Sequence, residues 1–191
     1  MRCAWVPESD DVYVRYHDEE WGVPIRDDRT LFEVICLDGA QAGLSWRTIL
    51  HRREGYREAF SGFDPERIAP WGEADVVRLL QDGRVVRNEK KIRSVIQNAR
   101  AYLRMREEGI AFGEHLWSFV GGRPIANRWE RSSEVPATSP EAVALSRDLR
   151  RRGFSFVGPT ICYAAMQAAG LVNDHEMGCF RHAELVHRVH T

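Results

Sequence analysis

Hydrophobic positions in this chain return every three or four residues and almost never alternate, a pattern of helices and not of strands. The stretch DDRTLFEVICLDG, predicted helical from about 28 to 39, sets Leu31, Phe32, Ile35, Cys36 and Leu37 on a broad apolar face behind acidic start residues. Ser45 is placed to cap a second helix, SWRTILHRREGYREAF. Asp64 before Pro65 is a cap with proline at the first helical position, and GEADVVRLLQD continues with Val76, Val77, Leu79 and Leu80. Asn88 to Glu108 reads as one long helix closed by Gly109, with Ile92, Val95, Ile96, Ala99 and Leu103 inward. Ser139 and Pro140 open another that runs to Gly153, and PTICYAAMQAAG forms the last apolar helix. GFSFVG is the one strand candidate. The stretch from about 121 to 138 reads as a surface connection. These elements predict an all-α fold in a single domain over residues 1–191.

Composition narrows the class. Of 191 residues, 43% are apolar and 29% charged, the balance of a globular domain with a real core. The least polar run, 157–172, is shorter than the roughly 20 residues a membrane span needs. MRCAWVPESDD has no apolar signal segment, so a cytoplasmic protein with reduced thiols is expected. Four cysteines then suggest metal or core packing before disulfides. A net charge of −1 excludes wholesale attraction to nucleic acid, and DNA binding requires a local basic patch.

Such a patch has a candidate place. Only GRVVR separates the helix ending near Asp82 from the one starting near Asn88, so the two form a hairpin over about 73–106. The free amides of the second helix suit a phosphate, and Arg84, Arg87, Lys90, Lys91 and Arg93 surround them. The other reading is a solvated helix face.

The tail NDHEMGCFRH holds His175 and Cys179 four residues apart, one helical turn, and so half of a tetrahedral zinc site. Cys3 and His17 are the candidates for the other half, because the ends of a compact domain often meet. A set of Cys3, His17, His175 and Cys179 would bind structural zinc and clip the ends together; the alternative is four isolated side chains. His182 is a reserve ligand. Cys36 and Cys162, inside apolar runs, read as core. His51, His115, His187 and His190 have no comparable neighbours in sequence.

The first 46 residues gather Trp5, Tyr13, Tyr16, Trp21 and Trp46 beside one acid, Asp38. Trp21 reads as core filling. The remaining rings with the carboxylate could sandwich a flat heterocycle and accept from its exocyclic amine, as an extruded base is read.

The motifs CAWV, YVRYHDEEWGVP, LFEVICLDGAQAGLSWRTIL and FVGPTICYAAMQAAGLVNDHEMGCFRH, in order and spacing, resemble the bacterial type I 3-methyladenine DNA glycosylases over essentially the whole chain. The resemblance implies a monomeric helix-hairpin-helix glycosylase that flips alkylated adenine from duplex DNA, hydrolyses its N-glycosidic bond and so starts base excision repair. It implies zinc on Cys3, His17, His175 and Cys179, stacking by Tyr16 and Trp46, and a pocket lined by Trp5 and Tyr13. Recognition and stabilisation of positive charge fall on Asp38, where the family usually has Glu; the shorter acid is expected to cost about 1 to 3 kcal/mol of buried hydrogen bonding. Gln41 and Leu44 are expected to wedge into the gap left by the flipped base. Arg84 stands where the family tends to have a small residue, and Glu107 and Glu108 read as a solvated helix end. Two alternatives follow from Asp38: a zinc-clipped DNA-binding module without catalysis, and a glycosylase for another alkylpurine.

Overall fold

Polar side chains that take over unpaired amides set where the helices begin. In the computed structural model, which describes the backbone of residues 1–188 and the side chains of 1–186, Asp10 accepts from the amide of Tyr13 and starts α1 (Asp11–Arg15). Asp27 does the same for α2 (Asp28–Gln41), and Ser45 for α3 (Trp46–Leu50). The expected helix from Ser45 to Phe60 is broken at His51 and Arg52, so α4 (Arg53–Ala59) is a separate element. Asp64 caps α5 (Pro65–Ile68), which a turn separates from α6 (Glu73–Gln81). Asn88 caps α7 (Glu89–Glu107), and α8 (Phe112–Ser118) follows. Ser139 caps α9 (Pro140–Arg151), and α10 (Pro159–Ala168) and α11 (Phe180–Arg188) complete the order.

Helix α2 is the axis of the core. Leu31, Phe32, Ile35 and Cys36 are at most 3% exposed and pack with Ile92, Val95 and Ala99 of α7 and Cys162 and Met166 of α10. Burying side chains of this size stabilises by about 1.5 to 3 kcal/mol each, which outweighs the modest helix propensity of their β-branched members. Leu103 is only partly buried, and the inner stripe of α7 continues through Met105 instead. Both central cysteines are core residues, as expected, and burial pushes the Cys162 thiol up to about 12.

GFSFVG is not a strand. The side chain of Asn98 accepts from the amide of Ser155 at 2.8 Å and donates to its carbonyl at 3.1 Å, and Phe156 lies at φ +55°. The amide and carbonyl of Ser155, which a sheet would pair, are thus taken by one amide side chain, and the carbonyl of Val157 accepts from Ser146 Oγ. Among the described residues the strands are β1 (Ile125–Ala126) and β2 (Val172–Asn173), a parallel pair too short to show alternation. Nor is 121–138 a mere surface connection: β1 lies in it, and Val135, Pro136 and Ala137 line the main cavity. No described helix is long and apolar enough to cross a membrane.

Candidate active site and metal cluster

After Arg15 the helix widens into a π-type turn over Tyr16–Glu20. Such turns change which way successive side chains face, and they recur at functional sites. Here consecutive residues serve two places: Tyr16 lines a cavity of about 440 Å³, while His17 turns to a cluster of sulfurs behind it.

The cavity brings together every aromatic named from the sequence. Trp5 packs edge-on against Tyr13 and Trp21, Tyr13 against Tyr16, and Tyr16 faces Trp46 with centroids 5.4 Å apart. Trp21 therefore does more than fill the core, since it also lines the cavity. Asp38, in the third turn of α2, is 4% exposed and reaches the same space. Two buried atoms there have no hydrogen-bond partner, Asp38 Oδ2 and the indole Nε1 of Trp46. Burial pushes the Asp38 carboxyl up to about 8, because a carboxylate without a donor is poorly solvated there. Gln41 lines the cavity and donates to the carbonyl of Leu44 at 2.6 Å, holding a turn in which Gly43 has φ +74° and Leu44 is 37% exposed.

One wall was invisible in sequence. Thr160, Tyr163 and Gln167 of α10 line it together with Asp174. Asp174 accepts four hydrogen bonds, from Asn127, Trp129, the Tyr163 hydroxyl and Gln167, at 2.6 to 2.8 Å. Its position between Asn173 and His175 was the only local hint, since its partners come from distant segments.

Behind the cavity, ligand atoms of Cys3, His17 and Cys179 lie within 4.8 Å of one another, all buried. The two ends of the chain meet here: the amide of Phe180 donates to the carbonyl of Met1, and that of Glu176 to Cys3 Sγ. His175 and Cys179 sit on a turn and not on a helix. Each histidine has its outer nitrogen occupied, His17 Nδ1 by Asp18 at 2.8 Å and His175 Nδ1 by Asn173 at 3.0 Å. His17 Nε2 is 3.4 Å from Cys179 Sγ, and His175 Nε2 is buried without a partner. The His175 ring centroid is 5.0 Å from that of His17, and burial, then His17 and Arg181, hold its protonation down to about 3, so it is a neutral imidazole. The hydrogen bond from Cys3, reinforced by His17, holds Cys179 below the usual thiol range, and Cys3 is correspondingly raised. Cys3, His17 and Cys179 thus form a group of three possible metal ligands, and His175, expected from the sequence as the fourth, lies outside that group although its ring is next to His17 and its Nε2 has no partner. Two sulfurs and imidazole nitrogen are donor types that suit zinc. His182 is not part of it, since its Nε2 bonds the carbonyl of Asn127 at 2.7 Å. Gly22, at φ +81°, lets the chain pass: a Cβ there would stand 2.8 Å from His175 Cε1. His51 and His115 each meet a carboxylate, Asp10 and Asp148. The side chain of His187 and all of His190 lie outside the described residues.

The hairpin cations divide. Arg84 is spent on Asp82 and Glu58, and Arg93 on Glu73 and Glu89. Lys91 departs from the expected phosphate contact: it is 8% exposed, and its Nζ donates to the carbonyls of Ala40 and Ala42, closing the C-terminal end of α2. Those carbonyls need a donor, and the long stem of Lys91 delivers one. Arg87 and Lys90 are exposed and have no ion pair within the described residues.

An aromatic cavity with an orphaned acid at its wall, in a helical chain with a helical hairpin, defines a protein built to hold a flat, nitrogen-rich ring such as a nucleobase. The chain belongs to the methyladenine glycosylase family, whose model matches residues 5–182. It is 52% identical over 178 residues to DNA-3-methyladenine glycosylase 1 of Escherichia coli (strain K12), covering 93% of this chain and 95% of that one. A crystal structure of 3-methyladenine DNA glycosylase I superposes with a TM-score of 0.93 at 52% identity, over 94% of this chain and 98% of the other. A Tyr-to-Phe variant of such a glycosylase in complex with 3-methyladenine gives 0.90 at 36% identity, over 94% and 96%.

Proposed function

We propose that this chain excises 3-methyladenine from alkylated DNA by hydrolysing its N-glycosidic bond. The observation that carries the reading is Asp38: a buried acid whose Oδ2 lacks a partner, in an aromatic cavity sized for a purine. The relatives named above act on this base, and the rings that would stack on it, Tyr16 and Trp46, both line the cavity; they touch at a 47° tilt with centroids 5.4 Å apart, so a base entering between them would part them.

Methylation at N3 leaves the adenine cationic while it is joined to deoxyribose. When the C1′–N9 bond breaks, its electron pair passes to the ring and the base departs neutral. Water forms the new C1′–O bond and loses a proton to solvent. The leaving group is already good, so the protein mainly extrudes, stacks and aligns. A cationic base entering the cavity supplies the counter-charge that Asp38 lacks, and the carboxyl ionises against it. Neutral product removes that charge again, which favours release. Trp5 and Tyr13 close the sides of the sandwich. Asp38 thus discriminates the cationic base from ordinary adenine and stabilises positive charge as the bond breaks.

The helical hairpin α6–α7 would hold the DNA backbone through its turn, Arg87 and Lys90, in the manner of a helix-hairpin-helix. The turn at Gly43 presents Leu44 to fill the space the base leaves. Leu44→Ala is expected to weaken duplex binding severalfold while free 3-methyladenine binds as before; equal duplex affinity removes the wedge role. Zinc would be held by Cys3, His17, His175 and Cys179, where it supplies structural cross-linking of the two ends and takes no part in bond breaking. We infer a cytoplasmic monomer acting on alkylated double-stranded DNA.

The test is base release from methylated duplex, separated by chromatography, for wild type and Asp38→Glu. Free 3-methyladenine from the wild type is the expected result. Release only from Asp38→Glu would mean a DNA-binding module disabled at one residue, and release of another alkylpurine would redirect the specificity.

A further inference from the structure

One arginine is paired unlike those of the hairpin. Arg84 and Arg93 meet carboxylates on the surface, whereas Arg47 meets a buried one. Asp10 is 4% exposed; its Oδ2 lies 2.7 Å from Arg47 Nε and 2.8 Å from His51 Nε2, and its Oδ1 accepts from the amide of Tyr13 at 3.2 Å. The guanidinium is ion-paired with Asp10, the contact running to its Nε; the Arg47 side chain is 60% exposed, and no other carboxylate pairs with it among the described residues. A guanidinium this exposed, with one buried carboxylate behind it, has donors of its planar fork left for the paired oxygens of a phosphate.

Its position gives the fork a purpose. Arg47 directly follows Trp46, and Asp10 caps the helix that carries Tyr13, so the clamp joins the starts of the two elements that bring those rings to the aromatic cavity, though it does not itself line it. The neighbouring turn presents Leu44. From the same segment Arg52 donates to the carbonyls of Gly83 and Val85, and Tyr56 accepts from the amide of Val86, bracing the clamp against the hairpin. A chain of net charge −1 must grip DNA with a few well-placed cations, and a nucleotide turned out of its stack carries its own phosphate toward the protein.

We propose that Arg47, aligned by Asp10, is a second contact for the DNA backbone, gripping the phosphodiester beside the extruded nucleotide while the hairpin grips another. The proposal rests on the glycosylase reading above.

Duplex affinity measured against salt concentration tests it, for wild type, Arg47→Ala, Arg47→Lys and the remote Arg67→Ala. Each phosphate contact contributes about 0.9 to the slope of log affinity against log salt. Arg47→Ala is expected to lower that slope by about one and to weaken binding at low salt, with free 3-methyladenine bound as in wild type. Arg47→Lys keeps the slope and recovers part of the affinity, because it keeps the charge and loses the fork. An unchanged slope in Arg47→Ala, an equal loss in Arg67→Ala, or weakened binding of the free base would overturn the assignment. A wild type that neither binds duplex nor releases base defeats the glycosylase reading as well, and shows this without any variant.

Discussion

Asp38→Asn is expected to abolish base release, by at least a hundredfold, and at the same time to make the folded chain more stable above neutral pH. The two effects have one cause. Asp38 is fully enclosed, without a donor on Oδ2, and burial pushes it from 3.8 up to about 8. Below about pH 4 the folded and unfolded chains both hold the proton, and the residue costs nothing. As pH rises toward 8 the unfolded chain ionises it freely while the folded chain resists, so stability is lost across that window. The span corresponds to roughly 6 kcal/mol at most. Asparagine has no such titration, so the gap in melting temperature between the variant and the wild type should widen in the variant's favour from pH 5 to 8; groups common to both chains, such as the neutral His175, cancel in that difference. The activity loss follows because a neutral amide offers no counter-charge to a cationic base. Chromatography of released base and thermal unfolding across pH check the two halves; full activity in Asp38→Asn would remove the acid from the reaction.

Cys179→Ser is expected to give the largest loss of stability. If zinc joins residues 3 and 17 to 175 and 179, it closes nearly the whole chain into a loop, and a constraint that long stabilises by about 4 to 5 kcal/mol in the chain-entropy picture. For a domain of this size that is a fall in melting temperature of roughly 10 to 20 °C. The serine variant also leaves His17 and His175 buried without their partner, which adds to the loss. Native mass spectrometry should find one zinc in the wild type and none in the variant. A wild type that folds to the same stability after chelation would mean that the cluster holds no structural metal.

Features whose cause lies within three or four residues were the ones readable in sequence. Asp27, Ser45, Asp64, Asn88 and Ser139 each announce a helix start because the amide they cap is close by in the chain. The apolar stripes of α2 and α7 were readable for the same reason. The aromatic cavity and the meeting of Cys3, His17 and Cys179 were legible because those residue types are scarce and the family motifs place them. What failed depends on distant partners. Lys91 looks like any surface cation until Ala40 and Ala42 are brought over it, and Asp174 looks like a turn residue until four donors converge on it. GFSFVG has the composition of a strand, and Asn98, more than fifty positions away, takes its hydrogen bonds.

The widened turn at Tyr16–Glu20 has a consequence for how this chain tolerates change. An ordinary helix advances about 100° per residue, and the extra winding here sets the phase between everything before Tyr16 and everything after it. Deleting one residue from the turn would restore regular winding and rotate the two halves out of step. Tyr16 would then be aimed away from the cavity or His17 away from the sulfurs, but the pair would not both keep their bearings. Length in this short segment is therefore more tightly constrained than residue identity at most of its positions.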